Sequence, residues 1–267
     1  MKKYASFFRI RFINGLQYRA AAYAGIFTQF AWGFMTLLMF WAFYKSESSS
    51  FPMSFSQLSS YIWLQQALLA LFMAWFFENE IFETITSGNI AYELCRPTDT
   101  YYMWFVRNVA VRLSKVVLRS MPILLVCVFL PSPFGITLPI SSKAAFLFIL
   151  SVLFGFLIMV AFNMLIYISA FYTISPMGIR ILAVSLTELL SGAIIPLPFL
   201  PDGLRKVIEL LPFASMQNTP FLIYTGFLTG TEVINKIILQ IIWVIGLFVL
   251  GKCLMKNALK KVVVQGG

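Results

Sequence analysis

The sequence predicts an all-α integral membrane protein, and three observations agree on this fold class. Of its 267 residues, 60% are hydrophobic and only 11% are charged, whereas soluble domains average about 25% charged residues. Long apolar runs recur, and several reach the roughly 20 residues that a helix needs to cross a bilayer. The twenty Lys and Arg residues outnumber ten Asp and Glu, and they cluster at the ends of the apolar runs. That placement suits membrane topology and argues against nucleic-acid binding.

Six apolar runs predict six membrane-spanning helices in one domain over residues 1–267, at residues 20–44, 58–77, 106–130, 144–171, 179–200 and 234–255. The first run is longer than the apolar region of a cleaved signal peptide, so we expect it to remain as a membrane helix. The third run is interrupted by Arg107, Arg112, Lys115 and Arg119. At 100° per residue the last three share one face, which predicts one long helix with a basic interfacial half and snorkelling cations.

The distribution of positive charge predicts the orientation. Six spans place both termini on the same side of the membrane. With the termini inside, fifteen of the twenty basic residues fall in cytosolic segments and five fall outside, as positive-inside topology requires. We therefore expect cytosolic termini, with residues 2–19 as an interfacial helix. Residues 203–228 contain two short apolar pieces between prolines and predict an outer re-entrant helical hairpin.

Half of the acidic residues lie in the acidic segment, residues 78–99, with the sequence ENEIFETITSGNIAYELCRPTD. We expect a helix over 79–86, ended at Ser87 and Gly88, and a second short piece to Cys95. Ile81 and Ile85 lie four residues apart, on a different face from Glu80. The pair would form an apolar ridge for a partner's groove, with acids meeting basic rims. The alternative is a solvated loop whose acids balance nearby arginines.

Two stretches resemble the permease subunits of ABC transporters of the ABC-2 type, which work mainly as exporters. ITSGNIAYELCRPTD is similar to the family's pattern after the second span, and SGAIIPLPFLPDGLRKVIELLPFASMQNTPFLIYTG is similar to the pattern after the fifth. Together with the six predicted spans and the cytosolic termini, the resemblance covers nearly the whole chain. It implies that residues 79–95 are a coupling-helix region that docks into a cytosolic ATPase through Glu80, Ile81, Glu83, Ile85, Gly88 and Arg96.

The resemblance also implies the partners and the location. They are a cytosolic ABC ATPase in two copies, a second permease subunit (a different chain rather than an identical copy) and membrane lipids, in a prokaryotic inner (plasma) membrane. The sequence contains no G-x-x-x-x-G-K-[ST] motif and no histidine. We therefore expect no enzymatic, cofactor or metal site in this chain, with ATP and Mg²⁺ bound by the partner.

The substrate class and the mode of energy supply are expectations of the same kind. A route lined by apolar helices with few charges suits an amphiphile, such as a lipid, drug or peptide. The alternative function is a secondary transporter or channel without an ATPase, which would favour several buried charges and repeated halves. A lipid-modifying enzyme is a third reading, but it would want clustered His, Asp or Glu near an interface.

Two polar residues inside predicted spans are candidates for the route or the permease interface. Glu188 in the fifth span is costly to bury and therefore a functional candidate. The other reading is a protonated glutamate bonded within its helix near Ser185 or Ser191. Asn163 in the fourth span is more consistent with a hydrogen bond between helices than with a substrate ligand.

Overall fold

The computed structural model describes residues 2–173, 175–260 and 262, and within them all regular secondary structure is helical. The predicted all-α class is therefore confirmed for this part of the chain. The predicted domain also includes Met1, Ile174, Lys261 and residues 263–267, which lie outside the described residues. The α-helices in chain order are α1 Lys2–Leu16, α2 Arg19–Ser46, α3 Phe55–Ala67, α4 Leu69–Phe72, α5 Asn79–Thr86, α6 Ile90–Leu94, α7 Thr100–Phe129, α8 Ser142–Ser169, α9 Met177–Leu190, α10 Asp202–Ile208, α11 Pro212–Met216, α12 Asn218–Tyr224 and α13 Gly230–Leu259.

Three of these helices are long and apolar enough to cross a membrane by length and composition: α2, α8 and α13. They correspond to the first, fourth and sixth predicted spans. Helix α7 has 30 residues, which is about 45 Å at 1.5 Å per residue. It forms one continuous helix as predicted, although its basic residues lower its apolar character.

Local sequence explains where several helices begin. Ser54 and Gln57 form a reciprocal capping box at the start of α3, which satisfies free backbone N–H groups. Asp99 caps α7 by accepting a hydrogen bond from the N–H of Tyr102 at 3.2 Å. Ser141 does the same for α8 through Ala144. These caps fix the connections that carry the chain between its long helices.

Two predicted spans differ from the observed helices. The run 58–77 forms α3 and α4 with a break at Leu68, and residues 73–78 leave the helix altogether. The run 179–200 is α-helical only to Leu190, with one short 3-10 helix after it at Leu197–Phe199. Helix α9 has 14 residues and is therefore about 21 Å long, which is shorter than the roughly 30 Å hydrocarbon core. The run 58–77 contains no charge, glycine or proline, so its break leaves no sign in the sequence, whereas Ser191-Gly192 and Pro196 mark the end of the helix in the run 179–200.

Helix α8 lies at the centre of the fold and packs against α13, α11 and α12. An added Cβ at Gly155 of α8 would lie 2.0 Å from the carbonyl oxygen of Met216, so only glycine permits this close approach. The fully buried Gln240 of α13 donates to the carbonyl oxygens of Ser151 and Ser215. This amide therefore ties α13 to α8 and α11 where no water is at hand.

The predicted re-entrant region 203–228 contains three short helices, α10, α11 and α12. Most residues of α11 and α12 are buried, because these helices pack on α8 rather than forming an isolated hairpin. At the other end of the chain, α1 lies along α7. The predicted helix within residues 2–19 is therefore present, and it packs beside the acidic segment.

Candidate functional site

The acidic segment, residues 78–99, folds as two short helices, as the sequence predicts. Helix α5 spans Asn79–Thr86 and α6 spans Ile90–Leu94. Gly88 lies between them with a φ of 78°, a left-handed conformation that non-glycine residues adopt at a cost. Its N–H donates to the carbonyl of Ile85 at 3.2 Å. The glycine therefore ends α5 and turns the chain into α6.

The apolar side of the acidic segment packs inward. Ile81, Phe82 and Ile90 are buried in one cluster with Trp104 of α7 and Tyr167 of α8, and Ile85 is partly buried against the same cluster. The expectation that Ile81 and Ile85 present an outward ridge is therefore wrong. Burying them in the chain's own core is favourable, and the helical spacing of four did not reveal which side faces the protein.

The acidic side is held by arginine. Arg107 of α7 donates through Nε to a carboxylate oxygen of Glu78 at 2.9 Å, and its Nη2 also bonds Glu80. Arg11 of α1 lies 4.0 Å from the same Glu80 oxygen. Only 7% of the Arg107 side chain and 14% of the Glu78 side chain are exposed. The hydrogen bond from Arg107 holds the pKa of Glu80 below its usual value.

A small cleft lies between the acidic segment and α1. Its volume is about 200 Å³, and Arg11, Glu80, Glu93 and Arg96 contribute to its walls. The Glu93 carboxylate accepts a hydrogen bond from the indole N–H of Trp104 at 2.7 Å. Both positive and negative side chains line the cleft, so it does not concentrate charge of one sign. Helices α1, α6 and α7 meet there.

Arg112 of α7 holds the irregular end of the second predicted span. Its Nη1 donates to the carbonyl oxygens of Leu71 and Met73 at 3.0 and 3.1 Å, and its Nη2 donates to that of Phe76 at 2.9 Å. No following helical turn supplies backbone N–H donors to these carbonyl oxygens. The N–H groups of the guanidinium serve as their donors instead. The side chain is completely buried, so the expected snorkelling of Arg112 is not observed.

Helices α8 and α9 also contact the acidic segment and its approach. The guanidinium of Arg180 at the start of α9 lies 4.9 Å from the ring centroids of both Phe77 and Phe82. Cations are attracted to aromatic faces at this distance. The hydroxyl of Tyr167 in α8 accepts a hydrogen bond from the N–H of Glu78 at 2.7 Å. Helices α7, α8 and α9 therefore hold one side of the acidic segment in place.

The opposite side of the acidic segment is exposed. Its apolar surface comes from Tyr92 and Leu94, which are 74% and 40% exposed. Glu83, Gly88 and Arg96 are exposed beside them. Among the described residues, no ion pair involves the side chain of Glu83 or Arg96. We call Glu83, Gly88, Tyr92, Leu94 and Arg96 the exposed face.

The two polar candidates within spans lie away from this site. Glu188 is half-buried near the end of α9. No hydrogen bond joins it to Ser185 or Ser191 in the described chain, and the Ser191 hydroxyl instead accepts from Gln217 at 2.9 Å. Asn163 is fully buried in α8, and neither of its amide atoms has a hydrogen-bond partner in the described part of the chain. The expected hydrogen bond between helices is therefore not observed.

Sequence reasoning missed the three cations that organise the site. Arg107, Arg112 and Arg180 looked like ordinary basic residues flanking membrane spans. The one available signal was the proximity of five acids to a third run interrupted by arginines, which suggests charge pairing without naming the pairs. The backbone contacts of Arg112 leave no trace in the sequence.

The comparison with protein families identifies a family that matches most of the chain. The sequence model of the family described as "ABC-2 family transporter protein" matches residues 30–266. The matched range includes most of α2, the acidic segment and every later helix. No curated protein matches the chain.

Proposed function

The chain belongs to the ABC-2 family of transporter proteins, and on this premise we propose that it is the permease subunit of an ATP-driven exporter. The ATPase is a separate cytosolic polypeptide, because the sequence lacks a phosphate-binding G-x-x-x-x-G-K-[ST] loop. ATP and Mg²⁺ bind to that partner. This subunit supplies half of the route through the membrane.

The proposal places six crossings in the membrane, with both termini and the acidic segment in the cytosol. The excess of positive charge in the segments assigned to the cytosol supports this orientation. Helix α1 lies along the basic end of α7 beside the acidic segment. An interfacial helix and a coupling element on one side of the membrane agree with that placement.

The observation that carries the proposal is the two-sided character of the acidic segment. One side is fixed to α7, α8 and α9 through Arg107, Tyr167 and Arg180. The other presents the exposed face, with Tyr92 74% exposed. A partner that binds the exposed face and moves would displace the three helices together, since the inner side is fastened by buried contacts. Such rigid coupling suits alternation between two states.

Direction, cargo and assembly belong to the same proposal. We assign export of an amphiphile, because the long helices carry few charges and the family resemblance favours exporters. A second permease subunit, a different chain, completes the route. Two copies of the ATPase bind on the cytosolic side. Exposed apolar side chains along α9 support a lipid or permease contact there, namely Ile181, Leu182, Leu186 and Leu189.

The test is co-purification of a Mg²⁺-dependent ATPase with the tagged permease from native membranes. A variant with Glu83→Lys, Tyr92→Ala and Leu94→Ala changes the exposed face and leaves the buried contacts intact. We expect it to fold, to lose most of the associated ATP hydrolysis and to release the partner. A matched control, Glu47→Lys with Leu138→Ala, alters exposed residues of the segments predicted to lie outside, and it should retain both.

Two results would overturn the proposal. One is an ATPase that remains bound and equally active in the triple variant. The other is a purified protein that, alone in vesicles, moves an amphiphile without ATP. The second result would favour the alternative function, a secondary transporter or channel.

A further inference from the structure

A second cavity lies on the other side of the acidic segment, between the start of α7 and the end of α13. Its volume is about 590 Å³, within the range of small-molecule pockets. Its walls are mainly apolar and include Leu94, Tyr101, Phe248, Val249 and Met255. We define this space as the α7–α13 cavity.

The charges that face the α7–α13 cavity are Asp99, Lys252 and Lys256. The carboxylate of Asp99 is already used, since it caps α7 through the N–H of Tyr102. Lys252 donates to the Tyr102 hydroxyl at 3.3 Å and lies 4.6 Å from the centroid of that ring. Lys256 has no hydrogen bond or ion pair within the described residues. Two lysines therefore stand against one carboxylate, and the cavity carries a net positive charge.

The position of this charge relative to the membrane matters. Along α13, Ile242, Ile245 and Val249 are all more than half exposed. They share a face with Lys252 and Lys256, because three- and four-residue steps return to the same side of a helix. An apolar stripe of a spanning helix thus leads directly to two lysines. An apolar surface that ends at positive charge matches a lipid whose acyl chain packs along the stripe and whose headgroup lies at the lysines.

Helix α1, which the proposed topology places at the membrane surface, lies close to these lysines. The ring of Tyr4 lies 5.9 Å from that of Tyr102, and the Tyr4 hydroxyl accepts from the N–H of Asp99. The interfacial helix therefore borders the cavity. Lysines are expected at the ends of membrane helices and of helices in general, but neither rule produces a cavity with apolar walls beside them.

We propose that the α7–α13 cavity binds a bilayer phospholipid with an anionic phosphate headgroup. Lys252 and Lys256 bind the phosphate, and one acyl chain packs on Phe248, Val249 and the exposed stripe of α13. Basic pockets between membrane helices bind anionic lipids by this chemistry. The basic face of α7 does not serve here, since Arg112 is engaged internally and Lys115 lies 3.3 Å from the ring centroid of Phe76. The inference requires only that the chain spans a membrane, and it is independent of the proposed export function.

The chain contains its own reporter for this site. Cys253 is exposed and lines the cavity, whereas Cys95 is exposed outside it. The purified protein in nanodiscs of phosphatidylcholine, with or without phosphatidylglycerol, is treated with a maleimide, and the modification rate of each thiol is read by mass spectrometry. Comparison with Cys95 corrects for the effect of an anionic surface on thiol reactivity.

We expect phosphatidylglycerol to slow the modification of Cys253 several-fold relative to that of Cys95. The variant with Lys252→Gln and Lys256→Gln should lose the protection, with the phosphatidylglycerol requirement raised about 30-fold. The control with Lys2→Gln and Lys260→Gln removes the same charge from exposed positions outside the cavity lining and should keep it. Val249→Trp, which fills the cavity without changing charge, should abolish the lipid effect, while the buried Cys127 stays unreactive and reports an intact fold.

Three results would overturn the proposal. One is an equal corrected rate of Cys253 modification in both kinds of nanodisc, and another is protection that survives in the double glutamine variant. Protection in detergent by inorganic phosphate alone would identify a free-anion site rather than a lipid site. ATPase binding, which the exposed face of the acidic segment governs, is read separately, because Lys252→Gln with Lys256→Gln leaves that face unchanged even though Leu94 belongs to both sites.

Discussion

Arg107 and Glu78 form a hydrogen-bonded ion pair, with Nε 2.9 Å from a carboxylate oxygen and only 7% and 14% of their side chains exposed. The pair joins the basic half of α7 to the first residue of the acidic segment. A charge so poorly hydrated depends on its partner.

Arg107→Gln should lower the free energy of unfolding by about 3 kcal/mol, because it leaves the Glu78 carboxylate buried without a counter-charge. Thermal unfolding in detergent measures the change. Arg205→Gln is the control, since Arg205 pairs with the exposed Asp202 and should cost less than about 1 kcal/mol. Equal losses in the two variants would contradict the prediction.

Arg112→Met should loosen residues 71–78, because three backbone carbonyls lose their hydrogen-bond donors and methionine supplies none. Amide hydrogen exchange in peptides from this segment should accelerate at least tenfold, which corresponds to a loss of about 1.4 kcal/mol of local stability. Lys115→Met, which removes a cation packed on Phe76, should have a smaller effect. Unchanged exchange in Arg112→Met would show that the carbonyls have other partners.

Gly88→Ala should destabilise the chain by about 1 kcal/mol, because its φ of 78° is unfavourable for a residue with a Cβ. Space is not the reason, since no atom lies within 4 Å of the added methyl group. Gly178→Ala in α9 is equally unobstructed but helical, and it should be neutral or slightly stabilising. The difference between their unfolding midpoints measures the cost of the turn.

Gly155→Ala should be more damaging than Gly88→Ala, because the new methyl group would lie 2.0 Å from the carbonyl oxygen of Met216. Separating α8 from α11 should cost roughly 1–3 kcal/mol or more, as overpacking of a core does. Gly246→Ala on α13 meets no neighbour and serves as the control. Monodispersity and thermal stability should fall in the first variant alone.

The ion pair of Glu80 predicts a dependence on pH. Hydrogen bonding from Arg107 lowers the pKa of Glu80, so the pair stabilises the fold at pH values above the unfolded pKa of about 4.3. This contribution should fade as the pH falls below that value and approaches the lower folded pKa. The effect should be small, since 62% of the side chain is exposed.

Stability measured from pH 6 to pH 3 checks this prediction. In Glu80→Gln, which cannot form the ion pair, unfolding should depend less on pH than in the parent protein. Glu83→Gln removes an exposed carboxylate without an ion pair in the described chain and should leave the parent's pH profile unchanged. Identical profiles for all three proteins would refute the contribution of the pair.

Residue patterns foretold the helical class, the bounds of α5 and the turn at Gly88, because apolar run length and a glycine at a helix end act locally. They did not foretell the break after α4. Residues 58–77 contain no charge, glycine or proline, and the break is stabilised by Arg112, some forty positions later. The inward burial of Ile81 was missed for a related reason. Spacing shows that Ile81 and Ile85 share a face, but tertiary packing decides which way that face points.

The hydrogen bonds of Arg112 go to the main chain, so they do not depend on the side chains at positions 71 and 73, whereas the ring of Phe76 also lies 5.3 Å from the guanidinium. Homologous sequences can therefore drift in this stretch, exchanging one apolar residue for another of suitable volume, without disturbing the connection. Position 112 has no such freedom, because lysine lacks a planar fork and neutral residues lack the donors. Across relatives we expect a variable stretch opposite an invariant arginine, so that pairwise covariation between them is absent even though they touch.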